Sequence, residues 1–207
     1  MCYVQRVQIA VIDSGSGNLR SVQRALLAAG GEPSFTSDPD QVRKADRIVV
    51  PGQGAFGDCM RNLQERGLDQ AIAEVARAGR PYLGICLGLQ ILFASSEESP
   101  EQAGLAILPG VVKRFAPSVG KVPHMGWNAI HQVVPDALLA GIPDQTYFYF
   151  THSYYAEPAD PDVAALRCDY GGEFVAAIRA DNIFACQFHP EKSQGAGLKL
   201  LSNFIAC

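Results

Sequence analysis

The chain has 207 residues, is 48% hydrophobic, and carries a formal net charge of −4. That is enough apolar material for one domain, residues 1–207, with an ample core. Only 17 Lys and Arg are present and none form a basic block, which argues against nucleic acid or an anionic membrane surface as partner.

Residues 7–12 (Val-Gln-Ile-Ala-Val-Ile) predict a first strand. The run is too short for a signal peptide, and no apolar stretch reaches membrane-spanning length. Gly15-Ser16-Gly17-Asn18 is expected as an ordinary strand-to-helix turn, with a partner or ligand contact as the second reading. Asn18 caps a helix with Leu19, Val22, Leu26 and Ala29 on its apolar face, and Gly30-Gly31 stops it. A short strand is expected at 33–36 and a third at Ile48-Val49-Val50, whose β-branched run suits burial on both faces. A helix over 68–78 ends at Gly79, and a fourth strand over 82–85 leads into Gly84-Ile85-Cys86-Leu87-Gly88. This alternation predicts an α/β fold, a mostly parallel twisted sheet with helices on both faces, and a ligand site at the carboxyl ends of the strands.

Beyond Ser95 the character changes. Residues 95–100 are polar, Pro and Gly recur between 109 and 123, and shorter strands are expected at 111–115, 129–133, 147–154 and 163–170. Residues 174–180 and 183–188, joined by Asp181-Asn182, predict an antiparallel hairpin. A last helix over 195–206 is expected to bury Leu198, Leu201 and Ile205.

The chemistry concentrates in two segments. Gly84-Ile85-Cys86-Leu87-Gly88 has the form of the Gly-x-Ser-x-Gly nucleophile elbow with sulfur in place of oxygen, followed by a helical pattern at Leu87, Gln90 and Ile91. A cysteine at a helix N-terminus is favoured as thiolate. His189-Pro190-Glu191 supplies a base and a carboxylate to orient it, placed on one side of an extended chain by the i, i+2 spacing. The other five cysteines, Cys2, Cys59, Cys168, Cys186 and Cys207, show no Cys-x-x-Cys pairing or disulfide framework and are expected to be core or merely exposed. They point to a reduced, cytoplasmic protein. No metal-ligand spacing is present and no cofactor is called for. Gly52-Gln53-Gly54-Ala55-Phe56-Gly57 matches the dinucleotide fingerprint, but it follows the third strand where that fold uses the first. The same glycines suit an oxyanion hole instead, with one N–H from Leu87 and another from the loop at Gly52 and Gln53.

With those residues in view, the chain resembles the class I (triad) glutamine amidotransferases. The likeness rests on Gly84-Ile85-Cys86-Leu87-Gly88-Leu89-Gln90 together with Gln187-Phe188-His189-Pro190-Glu191-Lys192-Ser193. Pro51-Gly52-x-Gly54-Ala55-Phe56, Met125-Gly126-Trp127-Asn128 and Tyr149-Phe150-x-His152-Ser153-Tyr154 narrow it to the family of glutaminase subunits of imidazole glycerol phosphate synthases. The resemblance implies a flavodoxin-like fold and Cys86, His189 and Glu191 as a triad that hydrolyses glutamine through a γ-glutamyl thioester. It implies glutamine held by Gln90 and the backbone around His152, Ser153 and Tyr154. It implies ammonia passed through an internal channel to a (β/α)8-barrel cyclase of histidine biosynthesis, with Asn18, Trp127, Tyr149 and Lys192 at interface or gate positions. Gln53 stands where that family commonly has valine. The alternatives are a glutaminase subunit of another ammonia-channelling synthase, a free-standing cysteine hydrolase, and a catalytically dead regulatory subunit. Met125-Gly126-Trp127-Asn128 argues against the first, and an intact Cys86, His189 and Glu191 against the last.

Overall fold

A computed structural model describes residues 7–15 and 18–207; Cys2, Ser16 and Gly17 lie outside the described residues. The N-terminal half alternates strand and helix, with two helices, α2 and α3, beyond those expected. Strand β1 (Ile9–Ile12) leads to α1 (Leu19–Ala28), β2 (Pro33–Thr36), α2 (Pro39–Lys44), β3 (Arg47–Gly52), α3 (Phe56–Glu65), α4 (Leu68–Arg77), β4 (Tyr82–Cys86) and α5 (Leu87–Gln90). The C-terminal half adds β5 (Ser95–Ser96), β6 (Gly110–Arg114), β7 (His124–Gln132), β8 (Tyr147–His152), β9 (Tyr154–Pro158), β10 (Ala164–Asp169), β11 (Glu173–Ala180), β12 (Ile183–Cys186) and α6 (Gln194–Ala206).

Nine strands form one sheet in the order β2-β1-β3-β4-β12-β11-β10-β7-β8. From β2 to β12 every neighbour is parallel; from β12 to β8 every neighbour is antiparallel. The expected hairpin is β11–β12, and the antiparallel region extends past it to the sheet edge. Side-chain alternation explains why β1 is apolar throughout. Ile9 and Val11 pack with Val22 and Leu26 of α1 and Leu200, Leu201 and Phe204 of α6, whereas Ala10 and Ile12 join Met60 and Leu63 of α3 and Ile72 and Val75 of α4 on the other face. Asn18 caps α1 as expected, its Oδ1 accepting from Ser21 N at 3.3 Å.

Four expectations are corrected. The helical pattern after Cys86 is a single turn, α5, because the chain bends away at Ile91. Residues 147–154 are not one strand: β8 stays in the large sheet, while β9 pairs with β6 in a second, three-stranded sheet, the chain switching at Ser153. Strand β7 begins at His124, not Ala129, so the Met-Gly-Trp-Asn motif lies within it. Helix α6 buries Gly197, Leu200, Leu201 and Phe204, while Leu198 and Ile205 are only partly buried at the rim of the same core. No helix of the described residues is long and apolar enough to cross a membrane.

Candidate active site

Strands β3, β4 and β12 lie side by side and parallel, so their carboxyl ends deliver Gly52, Cys86 and the segment leading to His189 to one edge of the sheet. Cys86 sits at the tip of the elbow with φ +54°, a conformation uncommon for a non-glycine residue and characteristic of a constrained functional turn. The flanking glycines are required by close approach. A Cβ on Gly88 would lie 1.9 Å from the Val50 carbonyl oxygen, and one on Gly84 would lie 2.5 Å from that of Gly88. The buried Tyr82 hydroxyl donates to the same Gly88 oxygen at 2.6 Å and ties the strand to the turn.

His189 and Glu191 meet as expected, with Nδ1 to Oε1 at 2.8 Å and both side chains 1% exposed. The means differs from strand alternation. Residues Pro190–Lys192 form a 3-10 turn, closed by Lys192 N donating to His189 O at 3.0 Å, and the turn swings the carboxylate under the ring. Burial alone would lower the His189 pKa, but the Cys86 sulfur and the Glu191 carboxylate outweigh it and push it up to about 10. His189 therefore holds its proton at neutral pH and loses it only as pH rises toward that value. With α5 only one turn long, the macrodipole contributes little at the elbow, and the protonated His189 is the positive group beside the sulfur. Among the remaining described cysteines, burial pushes Cys59 and Cys168 up to about 12 and Cys186 well above the usual thiol range, and Cys207 is exposed at the C-terminus.

Cys86 and His189 line a cavity of about 430 Å³ together with Gln53, Gly54, Leu87 and Gln90. Thr151, His152, Ser153 and Tyr154 form a second wall, and Glu98 and Lys192 also line it. Of the expected oxyanion group, Leu87 and Gln53 reach the cavity; Gly52 lies beneath it, packed so closely that a Cβ would stand 2.6 Å from Leu87 Cβ. Both amide protons of Gln90 are committed, to Tyr154 O at 3.0 Å and Gln187 Oε1 at 3.1 Å, so this side chain can offer a ligand only its carbonyl oxygen.

Among the expected partner-facing residues, Trp127 and Tyr149 meet edge to face with centroids 6.0 Å apart, and Lys192 Nζ lies 5.8 Å from the Tyr149 ring centre. Trp127 is 45% exposed, beside Met125 at 61% and Tyr147 at 59%, which excludes a core role for it. Asn18 is exposed at the N-terminus of α1. The cluster groups Trp127, Tyr149 and Lys192, and Lys192 joins it to the cavity.

Three residues were not singled out from the sequence. Gln187, fully buried, donates from Nε2 to Cys86 Sγ at 3.5 Å. Ser193 donates to His189 O at 2.7 Å and accepts from Tyr149 N at 3.0 Å, locking the histidine backbone to β8. Glu98 Oε2 accepts from Phe56 N at 2.7 Å. A carboxylate of the chain itself thus occupies the first turn of α3, the helix that a dinucleotide phosphate would need. Gln187 and Ser193 flank His-Pro-Glu and could have been suspected; Glu98 carried no signal. Among the described residues no group of three His, Cys, Asp or Glu side chains could hold a metal ion.

Comparison with known proteins agrees with this geometry. The family described as glutamine amidotransferase class-I matches residues 10–207. The imidazole glycerol phosphate synthase subunit HisH of Rhodopirellula baltica is 51% identical, covering 95% of this chain and 96% of its own. The proteins of that name from Moorella thermoacetica and Methanothermobacter thermautotrophicus are each 52% identical over 95% of this chain, covering 93% and 97% of theirs. Solved structures share the fold at low identity. A glutamine amidotransferase superposes with TM-score 0.76 at 18% identity over 96% of this chain and 99% of its own, and the PurLQS structure from Thermotoga maritima with 0.75 at 21% over 98% of each.

Proposed function

Because the chain belongs to the class I glutamine amidotransferase family, we propose that it is the glutaminase subunit of an imidazole glycerol phosphate synthase, releasing ammonia for a (β/α)8-barrel cyclase partner. The observation that carries this is the buried Cys86–His189–Glu191 constellation at the wall of a cavity sized for an amino acid. Roughly half of all positions are shared with proteins named as that subunit, over nearly their full length.

The chemistry follows from where the proton sits. Cys86 Sγ attacks the side-chain carboxamide carbon of glutamine, and the developing oxyanion is met by the Leu87 N–H and the backbone at Gln53–Gly54. The His189 imidazolium gives its proton to the departing nitrogen, which leaves as ammonia and a γ-glutamyl thioester. Neutral His189 then takes a proton from water, the hydroxide attacks the thioester, and Cys86 is released with the proton back on His189. Glu191 holds the ring through Nδ1 and stabilises its charged form. Gln90, Glu98, Ser153, Tyr154 and Lys192 all line the cavity; in this reading the Gln90 carbonyl and the Glu98 carboxylate accept from the α-ammonium of glutamine, and the backbone of Ser153 and Tyr154 and the Lys192 ammonium meet its α-carboxylate. The exposed Met125, Trp127 and Tyr147 surface offers an aromatic anchor for the partner.

The test is glutamate formation when the purified chain is mixed with a barrel cyclase and glutamine. Glutamate appearing in step with imidazole product is the expected result. A complex that assembles and forms no glutamate would refute the proposal.

A further inference from the structure

A line of hydrogen-bonded side chains, unused by the mechanism above, runs from β7 to the cavity. Asn128 Nδ2 lies 2.8 Å from Asp169 O and 3.3 Å from His124 Nε2. His124 Nδ1 lies 3.1 Å from His152 Nε2, and His152 Nδ1 lies 2.8 Å from Tyr154 O. Both imidazoles are buried. The proton positions follow from the ends of the line. A carbonyl oxygen only accepts, so His152 carries its hydrogen on Nδ1. Desolvation lowers His124 to about 4 and His152 to about 3, so both rings are neutral under ordinary conditions. A neutral His152 protonated on Nδ1 presents a bare Nε2, to which His124 must donate from Nδ1. The bare Nε2 of His124 then accepts from Asn128, whose second amide proton goes to Asp169 O. Each donor finds one acceptor.

The line does not stop at Tyr154. Its carbonyl oxygen also receives Gln90 Nε2, Gln90 reaches Gln187 Oε1, and Gln187 Nε2 reaches Cys86 Sγ. We propose that His124 is a positioning residue for glutamine turnover: by donating to the bare Nε2 of His152 it holds that ring, the Ser153–Tyr154 turn and, through the Tyr154 carbonyl, the amides of Gln90 and Gln187 in the geometry that receives glutamine. The proposal rests on the glutaminase reading and adds to it a residue outside the cavity. The ring's packing is separable from its hydrogen bonding. His124 stacks on Tyr170 with centroids 4.0 Å apart and on Phe150 at 4.8 Å, which a phenyl ring can also do; a phenyl ring has no donor for His152 Nε2.

The experiment compares wild type, His124→Phe and His124→Asn in the full chain assembled with its cyclase. It measures glutamine hydrolysis and melting, together with ¹⁵N–¹H imidazole NMR of the wild type. His124→Phe leaves a buried acceptor unpaired, so the glutamine KM should rise on the order of tenfold, by a larger factor than kcat falls. His124→Asn puts an amide N–H near the place of Nδ1 and should restore most of that loss. The wild-type spectrum should show the proton on Nδ1 of both His124 and His152. A proton on Nε2 of His152 overturns the proposal whatever the kinetics, and so does a KM in the folded Phe variant equal to that of wild type. Equal losses in both variants would reduce His124 to packing and overturn it too. If the wild-type complex forms no glutamate, the underlying reading fails and the proposal with it, an outcome told apart from the others by the wild-type control.

Discussion

Replacing Cys86 by alanine is expected to abolish glutamine-dependent synthesis by the assembled enzyme while leaving synthesis from added ammonium salts nearly intact. Under the proposed function the sulfur serves only the release of ammonia, and the second reaction takes place on the partner. Loss of the nucleophile from a preorganised acyl-transfer site costs about 10⁶-fold in rate, so glutamine turnover should fall to background. The substitution is also mild for the fold. Cys86 is a small buried residue at the rim of the core, and alanine removes only its sulfur. Its φ of +54° is strained for either residue, so the variant keeps whatever strain the wild type carries. The assay pairs glutamine-fed with ammonium-fed synthesis in a complex shown to assemble, and loss of both activities would give Cys86 a second role.

The second large effect concerns the partner. Glutaminase activity of the isolated chain is expected to be at least about two orders of magnitude below that of the complex with cyclase ligand bound, the cost of one missing oxyanion donor. The structure narrows which peptide can turn. Gly52 is pinned, paired with Cys86 across β3–β4 and pressed against Leu87, whereas Gly54 has φ +100° and no atom within 4 Å of the place a Cβ would take. The peptide between Gln53 and Gly54 is therefore the one proposed to rotate, at little steric cost. Trp127→Ala should weaken assembly or activation with little change in melting temperature, since a side chain 45% exposed leaves no core cavity behind. Glutamate release measured for the chain alone, the complex and the liganded complex decides this. Equal rates in all three would remove gating, and a large drop in melting temperature for the Trp127 variant would return that residue to the core.

Much of this was legible in the sequence because short-range rules govern it. The parallel half follows from β-branched runs between capped helices, and the elbow and His-Pro-Glu are local motifs whose spacing carries the chemistry. Two helices were missed despite clear signals. Asp38 and Pro39 are an N-cap and first-turn pair for α2, and Phe56, Cys59, Met60 and Leu63 form the buried face of α3, which the glycine loop beside it overshadows. What could not be read depends on tertiary placement. Nothing local tells that the chain changes sheets at Ser153, that Glu98 reaches the cavity from a polar loop, or that His124 and His152, 28 residues apart, meet across paired strands. The exposed and buried faces of β7 illustrate the point. The motif His-Met-Gly-Trp-Asn reads as one block, but alternation sends Met125 and Trp127 outward and His124 inward.

The central claim is that Cys86 forms a covalent γ-glutamyl thioester with glutamine, and mass spectrometry of the complex quenched in acid during turnover tests it most directly. With isotopically labelled glutamine, label is expected on the peptide containing Cys86 during turnover and absent after Cys86→Ala. Label on another cysteine, or glutamate formed with no label on Cys86 at any quench time, would contradict it.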